Sequence, residues 1–114
     1  MAHQKLHDWY EILQRMDTEL QQELTMRQWR ILMHVYLIEE QHTVTSLSDQ
    51  LNIPKPAICR ALELLTSYDY VKRIASTEDK RQVYCGKTLK GIEFLREFSD
   101  ILEKYYTGSK AAKA

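Results

Sequence analysis

The sequence predicts a mainly α-helical domain with a small β-wing: a winged helix-turn-helix of about five helices and a two- to three-stranded antiparallel wing. Three observations predict it. Apolar residues recur at helical spacing along most of the 114 residues. Turn residues Asn52-Ile53-Pro54 separate two short amphipathic runs. Two strand-like runs, 70–75 and 82–85, flank the polar tip Thr77-Glu78-Asp79-Lys80-Arg81.

The first helix is predicted over 5–22. Leu6, Trp9, Leu13, Met16 and Leu20 are spaced three, four, three, four, a heptad seam over two heptads. That is too short for an independent coiled coil, so the seam is expected either to be shared with other helices or to pack on its own domain. Thr25, with Gln28 three residues later, makes a capping box for the second helix. Its stripe is Trp29, Leu32, Met33, Tyr36 and Leu37, and His42-Thr43 is expected to end it. Val44 is a candidate short strand. Thr43 or Thr45 then caps a third helix anchored by Leu47 and Leu51.

Asn52 tolerates the left-handed conformation of a helix end. Pro54 and Pro56 suit the edge of a fourth helix, where a missing N–H costs little. That helix is expected to reach residue 67 or 68. Ile58, Leu62 and Leu65 fall on one face, and Pro56 and Arg60 point the opposite way. Asp69 follows where a left-handed residue is expected. After the hairpin, Thr88 caps a fifth helix ending at 105 or 106. Leu95, Phe98, Leu102 and Tyr105 form its stripe, and Phe94 and Ile101 widen it enough to face both its own domain and a second subunit. Residues 107–114 read as a flexible tail.

Composition narrows the function. The chain is 44% apolar and 28% charged, ordinary for one globular domain. No run of eighteen apolar residues is present, so no membrane span is expected, and the N-terminus lacks a signal-peptide core. Cys59 and Cys85 have no metal-like spacing, which points to a reducing cytoplasm. The formal net charge is zero, but residues 55–90 hold eight basic against four acidic side chains, and residues 1–54 the reverse. Such asymmetry fits a polar binding face.

The chemistry of that basic block suits double-stranded DNA. A recognition helix delivers side chains from its N-terminal half to base edges. Lys55, Pro56, Ala57 and Arg60 lie there. Arg60 can grip guanine by two hydrogen bonds, or bind a phosphate. At the hairpin tip Asp79 can hold the Arg81 guanidinium by a charge-assisted bond, ready for a narrow minor groove, with Lys80 between them. Arg73 at the hairpin base is read more as a buttress than as a contact.

Several segments in one register resemble the MarR family of winged-helix transcription regulators. They are Leu24-Thr25 with Gln28, Leu47 with Leu51-Asn52-Ile53, and the pattern of Ile58, Arg60, Leu62 and Leu65. Val71-x-Arg73, Asp79-x-Arg81 and Thr88-x-x-Gly91 complete the match, which runs without gaps from about 24 to 91. Asp69 departs from the family's usual glycine, and Lys87 from its usual leucine. A single helix follows the wing, as in the short SarA-type relatives. The resemblance implies a homodimeric regulator, a repressor, with one domain over 1–106. Within it, helices 5–22 and 88–106 serve dimerisation around a DNA-binding core at 25–87. Leu6, Trp9, Leu13, Met16, Leu20, Phe94, Phe98, Ile101 and Tyr105 are the expected interface residues.

Other sites are less pointed. Cys59 beside Arg60 could favour a thiolate, but a half-buried packing role is the simpler reading, as is a wing-core role for Cys85. His3 and His7 are at i, i+4, yet nothing completes a metal site. His34 and His42 stand out in no way. No Gly-rich loop, Ser/His/Asp grouping or carboxylate pair suggests an enzyme, and no cofactor is expected. A small-molecule effector stays open. The rival reading is a winged-helix module that binds another protein through the acidic N-terminal half.

Overall fold

The computed structural model describes residues 2–78 and 82–113, with side chains described for 3–78 and 82–106. The order is α1 (Ala2–Glu19), α2 (Met26–Leu37), α3 (Val44–Leu51), α4 (Lys55–Ser67), β1 (Val71–Ala75), β2 (Val83–Lys87) and α5 (Leu89–Lys113). The residues fall into two compact units: Leu24–Ile92, and Met1–Glu23 with Glu93–Ala114.

The first unit is a winged helix–turn–helix. Thr25 caps α2 through the expected reciprocal bonds with Gln28. α2 ends at Leu37, not at 42, because Ile38 turns to extended backbone. The chain thereby brings His42 to the sheet: the Cys85 N–H donates to the His42 carbonyl at 2.8 Å. The third strand-like piece of the wing is therefore His42, not Val44, which begins α3. Thr43 rather than Thr45 is the cap, in a box closed by Ser46. Asn52 is left-handed as expected, with φ of 56°. Asp69, at φ of 63°, ends α4 in a Schellman pattern: its N–H reaches the Thr66 carbonyl and that of Tyr70 the Leu65 carbonyl.

β1 and β2 pair antiparallel with Arg73 opposite Cys85 and Lys72 opposite Gly86. β2 runs on to Lys87, beyond its expected end at 85. Ile31, Leu32 and Val35 of α2, Leu47, Ile53, then Ile58, Ala61, Leu62 and Leu65 of α4, and Tyr70 and Val71, are buried in this unit. The Tyr36 hydroxyl donates to the Tyr70 carbonyl at 2.7 Å and accepts from the Thr88 N–H at 3.0 Å. Thr88 Oγ1 donates to the Asp69 carbonyl at 2.6 Å and accepts from the Gly91 N–H at 2.9 Å.

In the other unit, the expected interface residues divide. Leu6, Trp9 and Leu13 are 67%, 51% and 57% exposed, and Tyr10, which the heptad pattern passes over, is 60% exposed. Met16 is half-buried. Leu20, Phe94, Phe98 and Ile101 are instead already buried in the single chain, as is Ile12. The reason is angular. Phe94, Phe98 and Ile101 share the inward face of α5 at i, i+4, i+7, leaving Leu95 and Leu102 half-buried on its flanks. Tyr105 is half-buried and donates to Glu11 Oε1 at 3.1 Å. α1 starts and stops three residues earlier than its predicted 5–22 span. α5 continues to Lys113, where the composition predicts a tail from 107, because Lys110, Ala111, Ala112 and Lys113 are strong helix formers.

Gly91 sets up a test of this packing. A Cβ added there would fall on the Tyr36 hydroxyl and the Tyr70 carbonyl oxygen, and 2.8 Å from Tyr36 Cζ. Helix propensity alone says that Gly91→Ala stabilises, by about 1 kcal/mol. The crowding predicts the opposite sign, a loss of about 1–3 kcal/mol or more. Urea unfolding of the two proteins decides between them.

Candidate nucleic-acid interface

α4 is built so that one face is core and the other is solvent. Ile58, Ala61, Leu62 and Leu65 are buried, while Lys55, Pro56, Arg60 and Glu63 are exposed and Ala57 is half-buried at the edge. Four of the expected contact residues thus lie together on the N-terminal half. Lys55 and Arg60 have no ion-pair partner among the described residues, so their donors are free. The helix has no acidic residue in its first turn, and Pro54 provides no side-chain cap. Pro56 has no N–H, and Ala57 and Ile58 donate to the Pro54 carbonyl, so the exposed end offers phosphate the Lys55 side chain and the positive end of the helix dipole rather than a row of free N–H groups.

The hairpin stands beside this helix in the same unit. β1 packs on α4, and β2 on α2. Arg73 is exposed, and its charge acts on the Cys85 thiol across the register. Asp79, Lys80 and Arg81, the expected tip contacts, lie outside the described residues. Lys87 explains its own departure from leucine: its Nζ lies 5.9 Å from the centre of the Tyr36 ring and 3.4 Å from Glu39 Oε1. The ammonium is thus shared between the face of the ring and a carboxylate.

Cys59 and Cys85 are both free and half-buried. Burial pushes the Cys85 thiol up to about 11, and the nearby Arg73 only partly opposes it. His42, which nothing in the sequence singles out, is 1% exposed. Its Nε2 lies 2.8 Å from the Ile38 carbonyl, and its Nδ1 is buried without a partner. Carbonyl oxygen only accepts, so Nε2 carries a proton and donates it to Ile38. No group of three metal-ligating side chains occurs among the described residues.

An open cleft of about 450 Å³ lies in the other unit, lined by Gln4, His7, Asp8, Glu11, Lys104 and Tyr105. Its polar groups answer one another: Tyr105, Lys104 and His7 all reach Glu11, and Gln4 donates to Asp8. No helix among the described residues is long and apolar enough to cross a membrane.

A winged helix with an exposed, basic recognition-helix face defines a class, the winged-helix transcription regulators. The profile of the MarR family matches residues 22–82, more than half of the chain, and the protein belongs to that family. No curated protein sequence matches it. Solved structures are similar in fold. The MepR–DNA complex of S. aureus is 19% identical with a TM-score of 0.73, over 97% of this chain and 78% of that one. Regulator Tm0710 of Thermotoga maritima is 19% identical with a TM-score of 0.72, over 99% and 77%. A cysteine-to-serine mutant of E. coli MarR complexed with operator DNA is 22% identical with a TM-score of 0.65, over 76% and 61%.

The raised Cys85 pKa carries a prediction. From the ordinary value of 9.0 to about 11, the thiolate fraction at pH 8 falls by roughly a hundredfold. A thiolate of higher pKa is also the better nucleophile, so in a Cys59→Ser protein iodoacetamide should label Cys85 at least about tenfold more slowly than free cysteine. Labelling at the rate of free cysteine would contradict the burial.

Proposed function

We propose that this protein is a sequence-specific regulator that binds double-stranded DNA as a homodimer, acting as a repressor in a prokaryotic cytoplasm. The observation that carries it is the exposed half of α4, where Lys55, Pro56, Ala57 and Arg60 stand over the buried Ile58, Leu62 and Leu65. α4 enters a major groove, and the hairpin reaches the flanking minor groove. Arg60 reads guanine or a phosphate, Lys55 binds phosphate, and Pro56 and Ala57 meet thymine methyls. Arg73 supports the hairpin. At its tip Asp79 presets Arg81, with Lys80 as an added phosphate contact. The MepR and MarR structures with DNA support this reading by family and fold.

The second copy covers α1. Leu6, Trp9, Tyr10 and Leu13 are exposed together along one face of α1, an apolar patch of the kind that marks an interaction site. Two-fold symmetry would then repeat α4 about one helical turn apart, roughly 34–36 Å. Sedimentation at micromolar concentration should show a dimer, and Trp9→Glu with Leu13→Glu a monomer. A wild-type monomer would end this part of the reading.

Selection of bound fragments from genomic DNA tests the whole. The recovered duplexes should share a two-fold motif. On it, Arg60→Ala should lose about 1–3 kcal/mol and relax preference at one or two base pairs. An equal loss on all duplexes, with a shallower salt slope, would assign Arg60 to phosphate instead. Recovery of no common motif would contradict sequence-specific regulation.

A further inference from the structure

Outside the apolar core, α2 holds the last turn of α3 by two polar side chains one helical turn apart. Arg30 is exposed, and its Nη2 donates to the Leu51 carbonyl at 2.7 Å. His34 Nε2 lies 2.6 Å from Gln50 Oε1, and the Gln50 amide nitrogen donates on to Glu40 Oε1 at 3.1 Å. That second bond fixes Oε1 as the acceptor, so His34 is the donor.

The position of these bonds is what matters. The last carbonyls of a helix have no intrahelical partner, and they carry the negative end of its dipole. α3 has no basic residue in its own last turn. Arg30 supplies that cation from α2. Leu51 is followed by left-handed Asn52, then Ile53 and Pro54, and α4 starts at Lys55. On the other side of the turn, Ser48 Oγ donates to the Ile53 carbonyl at 2.6 Å, and the Ile53 N–H to the Ser48 carbonyl at 3.2 Å. The exit direction of α4 is therefore set by a short turn held from both sides, and on the α2 side the bond to the backbone of that last turn is made by a single guanidinium. The first proposed DNA contact, Lys55, follows Leu51 within about one helical turn.

We propose that Arg30 is a positioning residue for the recognition helix: by holding the Leu51 carbonyl it sets the α3–α4 turn, and so the fit of Lys55–Arg60 to base edges. The inference rests on the DNA-binding reading for its functional half. Being exposed, Arg30 adds little to core packing, so its removal should alter aim more than folding.

The test uses the full chain with Arg30→Ala and Arg30→Lys. In the free protein, hydrogen exchange should quicken in Arg30→Ala at the amide of Ile53, which bonds across the turn to Ser48, and at those of Ala57 and Ile58, which bond the Pro54 carbonyl where α4 begins. The ratio of affinities for a selected duplex over a random one should fall about threefold to tenfold, the scale of one net hydrogen bond at an exposed site. The salt slope should stay unchanged, and Arg30→Lys, which can still donate to the carbonyl, should recover much of both effects. Unchanged exchange in free Arg30→Ala would overturn the proposal whatever happens with DNA. So would an equal loss on both duplexes with a salt slope lower by about one, which would make Arg30 a phosphate contact. Wild-type protein with no preference between duplexes would instead overturn the DNA-binding reading, while the exchange result still decides whether Arg30 holds the turn.

Discussion

The Tyr36 hydroxyl is the constraint on which the rest of the DNA-facing unit depends. It bonds the backbone at Tyr70, one residue before β1, and at Thr88, one residue after β2. Both feet of the hairpin are thus tied to one atom of α2. Thr88 repeats the device from the other side, joining the Asp69 carbonyl at the end of α4 to the N–H of Gly91 in the first turn of α5. Removing one partner of a part-buried bond such as Tyr36–Tyr70 would leave donors and acceptors away from water, at a cost of about 1–3 kcal/mol each. The functional meaning of these bonds is spacing. In the proposed DNA-bound arrangement a helix in one groove and a hairpin in the next must be held at a fixed separation, and these bonds set it where α4 ends and the hairpin begins.

Electrostatics then decide what such a rigid unit can meet. The chain is neutral overall, so no net charge pulls it to nucleic acid at long range. Attraction must come from where charges are presented. Lys55 and Arg60 are free and exposed next to an uncapped helix N-terminus, whereas Lys87 is turned to Glu39 and the Tyr36 ring. Arg15, in the other unit, is held by Glu19, which raises the guanidinium pKa and lowers that of the carboxylate. The same count of lysines and arginines therefore divides into residues occupied by the protein and residues left for a ligand.

Much of this is legible in the sequence because local chemistry is consistent. The Thr25–Gln28 box, the left-handed Asn52 and Asp69, and the split of α4 into Ile58, Leu62 and Leu65 against Pro56 and Arg60 all follow from short-range rules. What is not legible depends on partners distant in the chain. Nothing near His42 shows that its carbonyl completes the sheet with Cys85, so the local pattern runs α2 too far and offers Val44 as the strand. A heptad seam cannot say which of its members face inward: Leu20 is buried in the single chain, while Tyr10, off the seam, is exposed. Arg30 gives no signal at all, since its acceptor is a backbone carbonyl 21 residues away.

The exposed half of α4 and the hairpin together form the proposed DNA surface. Amide chemical shifts of the full chain during titration with a duplex carrying the selected motif test that surface most directly. The largest changes should fall at residues 55–60 and along the two strands at 71–75 and 83–87, with little change around the cleft at Glu11 and Lys104. Changes concentrated on α1 and that cleft, with α4 undisturbed, would contradict it.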